Sequence, residues 1–262
     1  MIHKPIRGAL IDVDGVLHIG DVPVPGAADA LNDLRRQGIP FRLLTNTTMR
    51  TRAALGKLLR DFGCDVTDDE IITAASATAT YIRKHHPDLP CYLLVSGNVV
   101  EEFDAIELTN DPDAGLVVIG GAGREFSYDA LNHAFRLLLN GATLLAMHKD
   151  LYWRMADGLS LDAGAFISGL EQASGAQATV VGKPSRAFFE VGFDSLGLPP
   201  SQVAMVGDSI LHDVVPAMEF GARGVLLRTG IFKEGDLEKA TPDVVLDSFV
   251  DVPEYVRRSH QQ

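Results

Sequence analysis

The chain has 262 residues, 46% of them hydrophobic and 22% charged, the proportions of a folded globular protein rather than a disordered one. Its net charge of −12 argues against a broad nucleic-acid footprint, so an anionic ligand would need a local positive site. Cys64 and Cys91 have no metal-ligand spacing and make no disulfide framework, which fits a reducing cytoplasm; the sequence shows no signal peptide and no apolar run of membrane-spanning length.

In chain order, "GALIDVD" reads as a buried strand that stops at Asp12 and Asp14, followed at once by Gly15. "PGAADALNDLRRQG" is a helix, with Pro25 suited to the first turn and Gly38 to the cap. The strand "PFRLLTN" and the helix "RTRAALGKLLRDFG" follow. The middle has its own set: strands "CYLLVS", "AGLVVIGG" and "ATLLAMHK", and helices "SYDALNHAFRLLLNG" and "LDAGAFISGLEQASG". "HHPDLP" reads as a linker near the start of that segment. Toward the end, "ATVVGK", "QVAMVGDS", "RGVLLRTG" and "DVVLD" read as strands with helices between, and "RRSHQQ" as a frayed tail. The alternation predicts an α/β protein with a Rossmann-like, doubly wound parallel sheet core. Residues 1–79 and 179–262 are assigned to that core and 80–178 to an inserted α/β domain.

Four strand ends share a character. Residues i and i+2 of an extended strand point to one face roughly 6–7 Å apart, so Asp12 and Asp14 can flank one small group if the strand is still extended there. "FRLL" ends in Thr45-Asn46, "ATVVG" in Lys183, and "VAMVG" in Asp208, with Asp213 five residues on. Each alone has an ordinary reading: an Asx turn or cap for the aspartates, a loop exit for Thr45-Asn46, a solvated turn for Lys183. Together they place acids, donors and a cation at the carboxyl ends of parallel strands, where open α/β sheets bind ligands. Two unit charges 4 Å apart repel by about 4 kcal/mol at an effective dielectric of 20, and a hard divalent cation removes that penalty. Metal, lysine, donors and a free carboxylate together suit a phosphoryl group, with Thr45 and backbone N–H groups near Asp14 and Gly15 as donors.

These residues resemble the haloacid dehalogenase superfamily of phosphohydrolases: Asp12-Val13-Asp14-Gly15-Val16, Thr45-Asn46, Gly182-Lys183-Pro184, and Gly207-Asp208 with Asp213, in that order from end to end of the chain. The insertion between the second and third motifs resembles the large α/β cap of the NagD-like, class IIA branch. Within it, "TNTTMRTRAAL" and "HKDLYWRMADGLSLDAGAF" are most similar to the subgroup of phospholysine phosphohistidine inorganic pyrophosphate phosphatases and their hydrolase-domain-containing relatives. Members of that subgroup carry Ser or Asn where this chain has Asp14, and an acid there favours phosphomonoesters over phosphoramidates or pyrophosphate.

The resemblance implies Asp12 as nucleophile and Asp14 as general acid and base. Gly15, Thr45, Asn46 and Lys183 would bind the phosphoryl group. Mg²⁺ would be held by Asp12, Asp208 and the backbone carbonyl of Asp14, and Asp213 would act through water or Lys183. In the cap, His148, Trp153 and Arg154 are candidates for contact with the leaving group, set against packing or solvated roles. The expected ligand is a small phosphorylated metabolite, without nucleic acid or membrane. The branch admits a homodimer through the cap, which nothing in the sequence decides. A metal-independent dehalogenase would use Asp12 but have no use for Asp14 or Asp208. "GGAGRE" (120–125) lacks the third glycine of a dinucleotide loop, and the remaining histidines read as structural.

Overall fold

The computed structural model describes residues 4–155 and 158–260. Strand β1 (Gly8–Asp12) leads through a short antiparallel hairpin, β2 (His18–Ile19) and β3 (Val22–Pro23), into α1 (Ala27–Arg36), β4 (Phe41–Thr45), α2 (Arg52–Asp61) and β5 (Ile71–Thr73). Next come α3 (Ala74–His85), β6 (Cys91–Val95), β7 (Leu116–Gly120), α4 (Tyr128–Leu139) and β8 (Thr143–Ala146). An antiparallel hairpin of β9 (Tyr152–Met155) and β10 (Gly158–Leu161) precedes α5 (Ala163–Ser174) and β11 (Thr179–Val180). The chain closes with α6 (Arg186–Leu196), β12 (Val203–Gly207), α7 (Val215–Glu219), β13 (Arg223–Leu227), β14 (Val244–Leu246) and α8 (Val252–Ser259).

Two compact units result. The first comprises Met1–Thr45, Ala53–Ile72 and Phe188–Gln262; the second comprises Asn46–Arg52 and Thr73–Ala187. "HHPDLP" lies inside the second unit, joining α3 to β6, rather than at a crossing between units.

The first unit is built on a six-stranded sheet of order β14-β13-β12-β1-β4-β5, parallel from β14 through β4. Strand alternation sends Ala9 and Ile11 to one face, where they pack with Leu31 and Leu34 of α1, Leu55 and Leu59 of α2, and Val252 and Val256 of α8. Leu10 takes the other face, close against Gly192 of α6. Helices therefore cover both faces, and the central strands β1 and β12 are unbroken buried runs because neither side meets water. Helix α1 shows the local logic: Ala27, Ala30, Leu31 and Leu34 are buried at helical spacing, and Ile39 N–H closes the far end on the Leu34 carbonyl at 3.0 Å. Its N-cap is Gly26 at φ +77°, so Pro25 stands just before the helix instead of in its first turn. The tail is not frayed through its length: α8 runs to Ser259, whose hydroxyl accepts from Ile6 N–H at 3.1 Å while Val252 and Val256 are buried.

The second unit has a four-stranded parallel sheet of order β11-β8-β7-β6. Helices α4 and α5 pack on the face bearing Tyr92, Val117, Ile119 and Leu144. The opposite face, with Leu116, Val118 and Leu145, meets Ala75, Ala79 and Ile82 of α3. The "ATVVGK" segment, read from sequence as a strand of the core sheet, belongs here. Val181 N–H bonds the Ala146 carbonyl and Gly182 N–H the Met147 carbonyl, both at 2.8 Å, so β11 extends beside β8.

Candidate active site

Parallel register places Ile11 level with both Leu43 and Val206, so β1, β4 and β12 end along one edge. Their exits are Asp12, Thr45 and, just past Gly207, Asp208. Asp12 is 5% exposed and Asp208 3%, deep burial for carboxylates. Asp213 joins them at 1% exposure, carried on a wide π-turn (Ile210–Val214) that folds its carboxylate back onto Ser209 N–H at 3.2 Å. One carboxylate oxygen from each of Asp12, Asp208 and Asp213 lies within 4.8 Å of the others. Three buried like charges at that spacing repel strongly, and an all-oxygen donor set of this kind fits a hard divalent cation. Asp213, expected to act through water or Lys183, here brings its own oxygen into the cluster.

Asp14 behaves differently from Asp12. The strand ends at Asp12, and residues 13–18 form a turn in which Leu17 N–H bonds the Val13 carbonyl at 2.9 Å. Asp14 lies beyond the end of β1, in an isolated bridge with His18, and its side chain is 66% exposed. Its Oδ2 accepts from Thr45 Oγ1 at 3.0 Å, and its Oδ1 lies 3.9 Å from Nε2 of the buried His18.

The Gly15 N–H, expected as a phosphate donor, donates instead to the His18 carbonyl at 2.7 Å. What Gly15 contributes is room. At φ +83° it faces Gly230 at φ +56°, and a Cβ on either would run into the Asp208 carboxylate. Asp208 thus passes between two bare backbones, and Ile231 N–H fixes its Oδ2 at 2.8 Å.

Asn46 and Lys183 fall in the second unit, where they grip each other. Asn46 Nδ2 donates to the Lys183 carbonyl at 2.9 Å and its Oδ1 accepts from Lys183 N–H at 2.7 Å. That double bond pins the backbone of a lysine that is 7% exposed. His148 is also buried, with Nδ1 3.5 Å from Asp150 and Nε2 3.6 Å from Asp162, the N-cap of α5. Trp153 and Tyr152 on β9 are 38% and 61% exposed, so neither packs an interior; the side chain of Arg154 lies outside the described residues. After β7, Glu125 accepts from Ser96 Oγ at 2.8 Å, which puts a carboxylate in the loop that glycine spacing alone would offer to a phosphate. Burial pushes the Cys64 thiol up to about 11 and that of Cys91 up to about 12, so both stay protonated at neutral pH. His18 was the residue that sequence reasoning passed over: it belongs to no spacing motif, and only its contact with Asp14 singles it out.

The comparisons agree with this geometry. Residues 9–109 match the family described as haloacid dehalogenase-like hydrolase, and residues 180–252 match HAD-hydrolase-like. Haloacid dehalogenase-like hydrolase domain-containing protein 2 from Homo sapiens is 39% identical over 239 residues, covering 91% of this chain and 90% of its own length. Phospholysine phosphohistidine inorganic pyrophosphate phosphatase from Xenopus laevis is 36% identical over 252 residues, covering 94% and 91%. The p-nitrophenyl phosphatase from Archaeoglobus fulgidus superposes with a TM-score of 0.89 at 30% identity, covering 96% of this chain and 100% of its own. The chain belongs to the haloacid dehalogenase-like hydrolases and is a phosphatase of that family. Within the family it falls in the class IIA branch, with NagD from E. coli K-12 matching at a TM-score of 0.87 and 26% identity over 95% of this chain and 98% of NagD. Among the described residues no helix is long and apolar enough to cross a membrane.

Proposed function

We propose that this phosphatase hydrolyses small phosphorylated metabolites with Mg²⁺, through a phosphoaspartyl intermediate on Asp12. The observation that carries the reading is the convergence of Asp12, Asp208 and Asp213 at the carboxyl ends of parallel strands. Asp12, Asp208 and Asp213 would hold the cation, with the Asp14 carbonyl as the further oxygen that the family resemblance supplies. Bound there, Mg²⁺ would neutralise charge on the transferred phosphoryl oxygens.

Asp12 Oδ attacks phosphorus and forms an O–P bond, while the bond to the leaving oxygen breaks and that oxygen takes the proton of Asp14. In the second step Asp14 accepts a proton from water as the water oxygen attacks phosphorus, releasing inorganic phosphate and restoring Asp12. Thr45 orients Asp14 through its hydrogen bond. The family resemblance assigns Lys183, whose backbone Asn46 pins, the fixed positive charge that a PO₃ group requires. We assign the second unit, close to the 80–178 segment of the sequence reading, the part of a specificity-bearing cap. Two free, buried thiols support a reducing compartment such as the cytoplasm.

A second reading, hydrolysis of pyrophosphate or of phosphorylated lysine and histidine, is favoured by the similarity to the Xenopus laevis phosphatase of that name. Asp14 weighs against it, because phosphate and amine leaving groups need less protonation than an alcohol. A panel of sugar phosphates, other phosphomonoesters, pyrophosphate and phosphoramidates, assayed with Mg²⁺ and ranked by kcat/KM, decides between them. Beryllofluoride trapping or radiolabel is expected on Asp12; label that never reaches it in folded, metal-loaded protein refutes the intermediate.

A further inference from the structure

We infer that Glu102 is a positioning residue for the Asn46–Lys183 pair, an assignment that rests on reading that pair as the holder of the phosphoryl group. Glu102 is 8% exposed, a buried carboxylate outside the cluster of Asp12, Asp208 and Asp213. Burying an acid is costly unless donors meet it, and one residue meets both of its oxygens. Oε1 accepts from Arg52 N–H at 2.6 Å and Oε2 from Arg52 Nε–H at 2.8 Å. Arg52 opens α2, so its N–H is one of the donors that a helix start leaves without an internal partner. The base of this contact is firm. Glu102 rides a short 3₁₀ turn (Val99–Phe103) whose Val99 and Phe103 are buried with Leu116 and Val118 of β7.

Arg52 closes the segment Asn46–Arg52, which belongs to the second unit and carries Asn46 at its other end. Residues 46–51 form no helix or strand, yet Thr48 and Thr51 are buried and the middle of the segment is closely seated. A Cβ on Gly97 would stand 3.0 Å from the Met49 carbonyl oxygen, and one on Gly121 3.3 Å from Thr48 Oγ1. Both glycines have left-handed backbones, φ +75° and +70°, so neither position readily takes a side chain. The segment is thus held at Asn46, at Thr48 and Met49, and at Arg52. A loose irregular segment would have to be ordered at each binding event, at a cost in conformational entropy. Fixed at both ends, it presents Asn46 already bonded to the Lys183 backbone, with Lys183 N–H on Oδ1 at 2.7 Å. Glu102 acts through Arg52 and not on the phosphoryl group itself. What it secures is common to every phosphate ester, so its loss should be blind to the leaving group.

The test measures KM for β-glycerophosphate and for 4-nitrophenyl phosphate, both with Mg²⁺, and the competitive Ki of inorganic phosphate. Glu102→Ala is expected to raise all three about 5- to 20-fold in a common ratio, with a smaller change in kcat. Glu102→Gln keeps an acceptor for Arg52 N–H and should recover most of the loss. Unchanged KM and Ki beside a lowered Tm would mean that Glu102 only caps α2, and overturns the assignment; so does a rise confined to one ester. Asn46→Ala run alongside separates the two layers. If it leaves the Ki of phosphate unchanged, the phosphoryl reading of the pair falls and Glu102 with it. If it raises that Ki while Glu102→Ala does not, only the Glu102 assignment falls. Should Glu102→Ala not fold, Gly97→Ala presses on the same segment at Met49. The same joint rise is then expected, and wild-type KM and Ki overturn the proposal.

Discussion

The two units carry parallel sheets of the same construction, yet only one of them ends in acids. In the first unit β1, β4 and β12 leave the sheet as Asp12, Thr45 and Gly207-Asp208. In the second, β6, β7 and β8 leave as Val95-Ser96, Gly120-Gly121 and Ala146-Met147. Both sheets bury apolar runs under helices on two faces, so the architecture is equally satisfied in each. The difference teaches that a doubly wound sheet supplies an edge where chain exits gather, while the chemistry depends on which side chains stand at those exits. Buried carboxylates at one edge are a cost that packing alone would select against, which makes that edge of the first unit the candidate site.

The sharpest way to break this contrast is Asp12→Asn. Turnover is expected to fall at least about a thousandfold with the circular dichroism spectrum unchanged, because the amide cannot accept the phosphoryl group. Gly230→Ala should come next. Its Cβ would meet the Asp208 carboxylate and lie 2.8 Å from Gly15 Cα, so a Mg²⁺ titration of activity should show the half-saturating concentration raised about tenfold or more. Asp14→Asn should cost about 100-fold on alkyl phosphates and clearly less on 4-nitrophenyl phosphate, and equal losses would remove its acid role.

Effects in the second unit should be smaller. Trp153→Ala is expected to move KM several-fold for favoured substrates, since a half-exposed indole offers a large apolar contact; unchanged KM across the panel would leave Trp153 without a part in specificity. Lys149→Ala should cost about 0.5–1 kcal/mol in urea unfolding at pH 7, as its 2.6 Å pair with Glu171 is only partly shielded. Burial works to raise the Glu171 carboxyl, but the Lys149 ammonium and the Ala178 N–H outweigh it and hold the group below the ordinary carboxylate range. A carboxyl lowered on folding contributes stability above its unfolded value and loses it as pH falls through the folded value. The Lys149→Ala deficit should therefore fade in acid.

The chain by itself determined the class of fold and the acids of the site. Unbroken apolar runs alternating with helix-period segments demand a parallel sheet covered on both faces, and Asp12 and Asp208 are visible because a charge at the end of such a run is conspicuous. Short-range pattern does not carry partner choice. It could not say that Thr179–Val180 pairs with β8, that the Gly15 N–H is spent on His18, or that Asp14 turns outward while Asp12 is buried. The hairpin of β9 and β10 was missed for the same reason: its leucines, Leu159 and Leu161, are exposed and show no core-facing alternation. Those features were decided by tertiary structure, because a hydrogen bond or a cavity for a carboxylate depends on where two distant backbones come to lie, and single-residue properties hold no record of that distance.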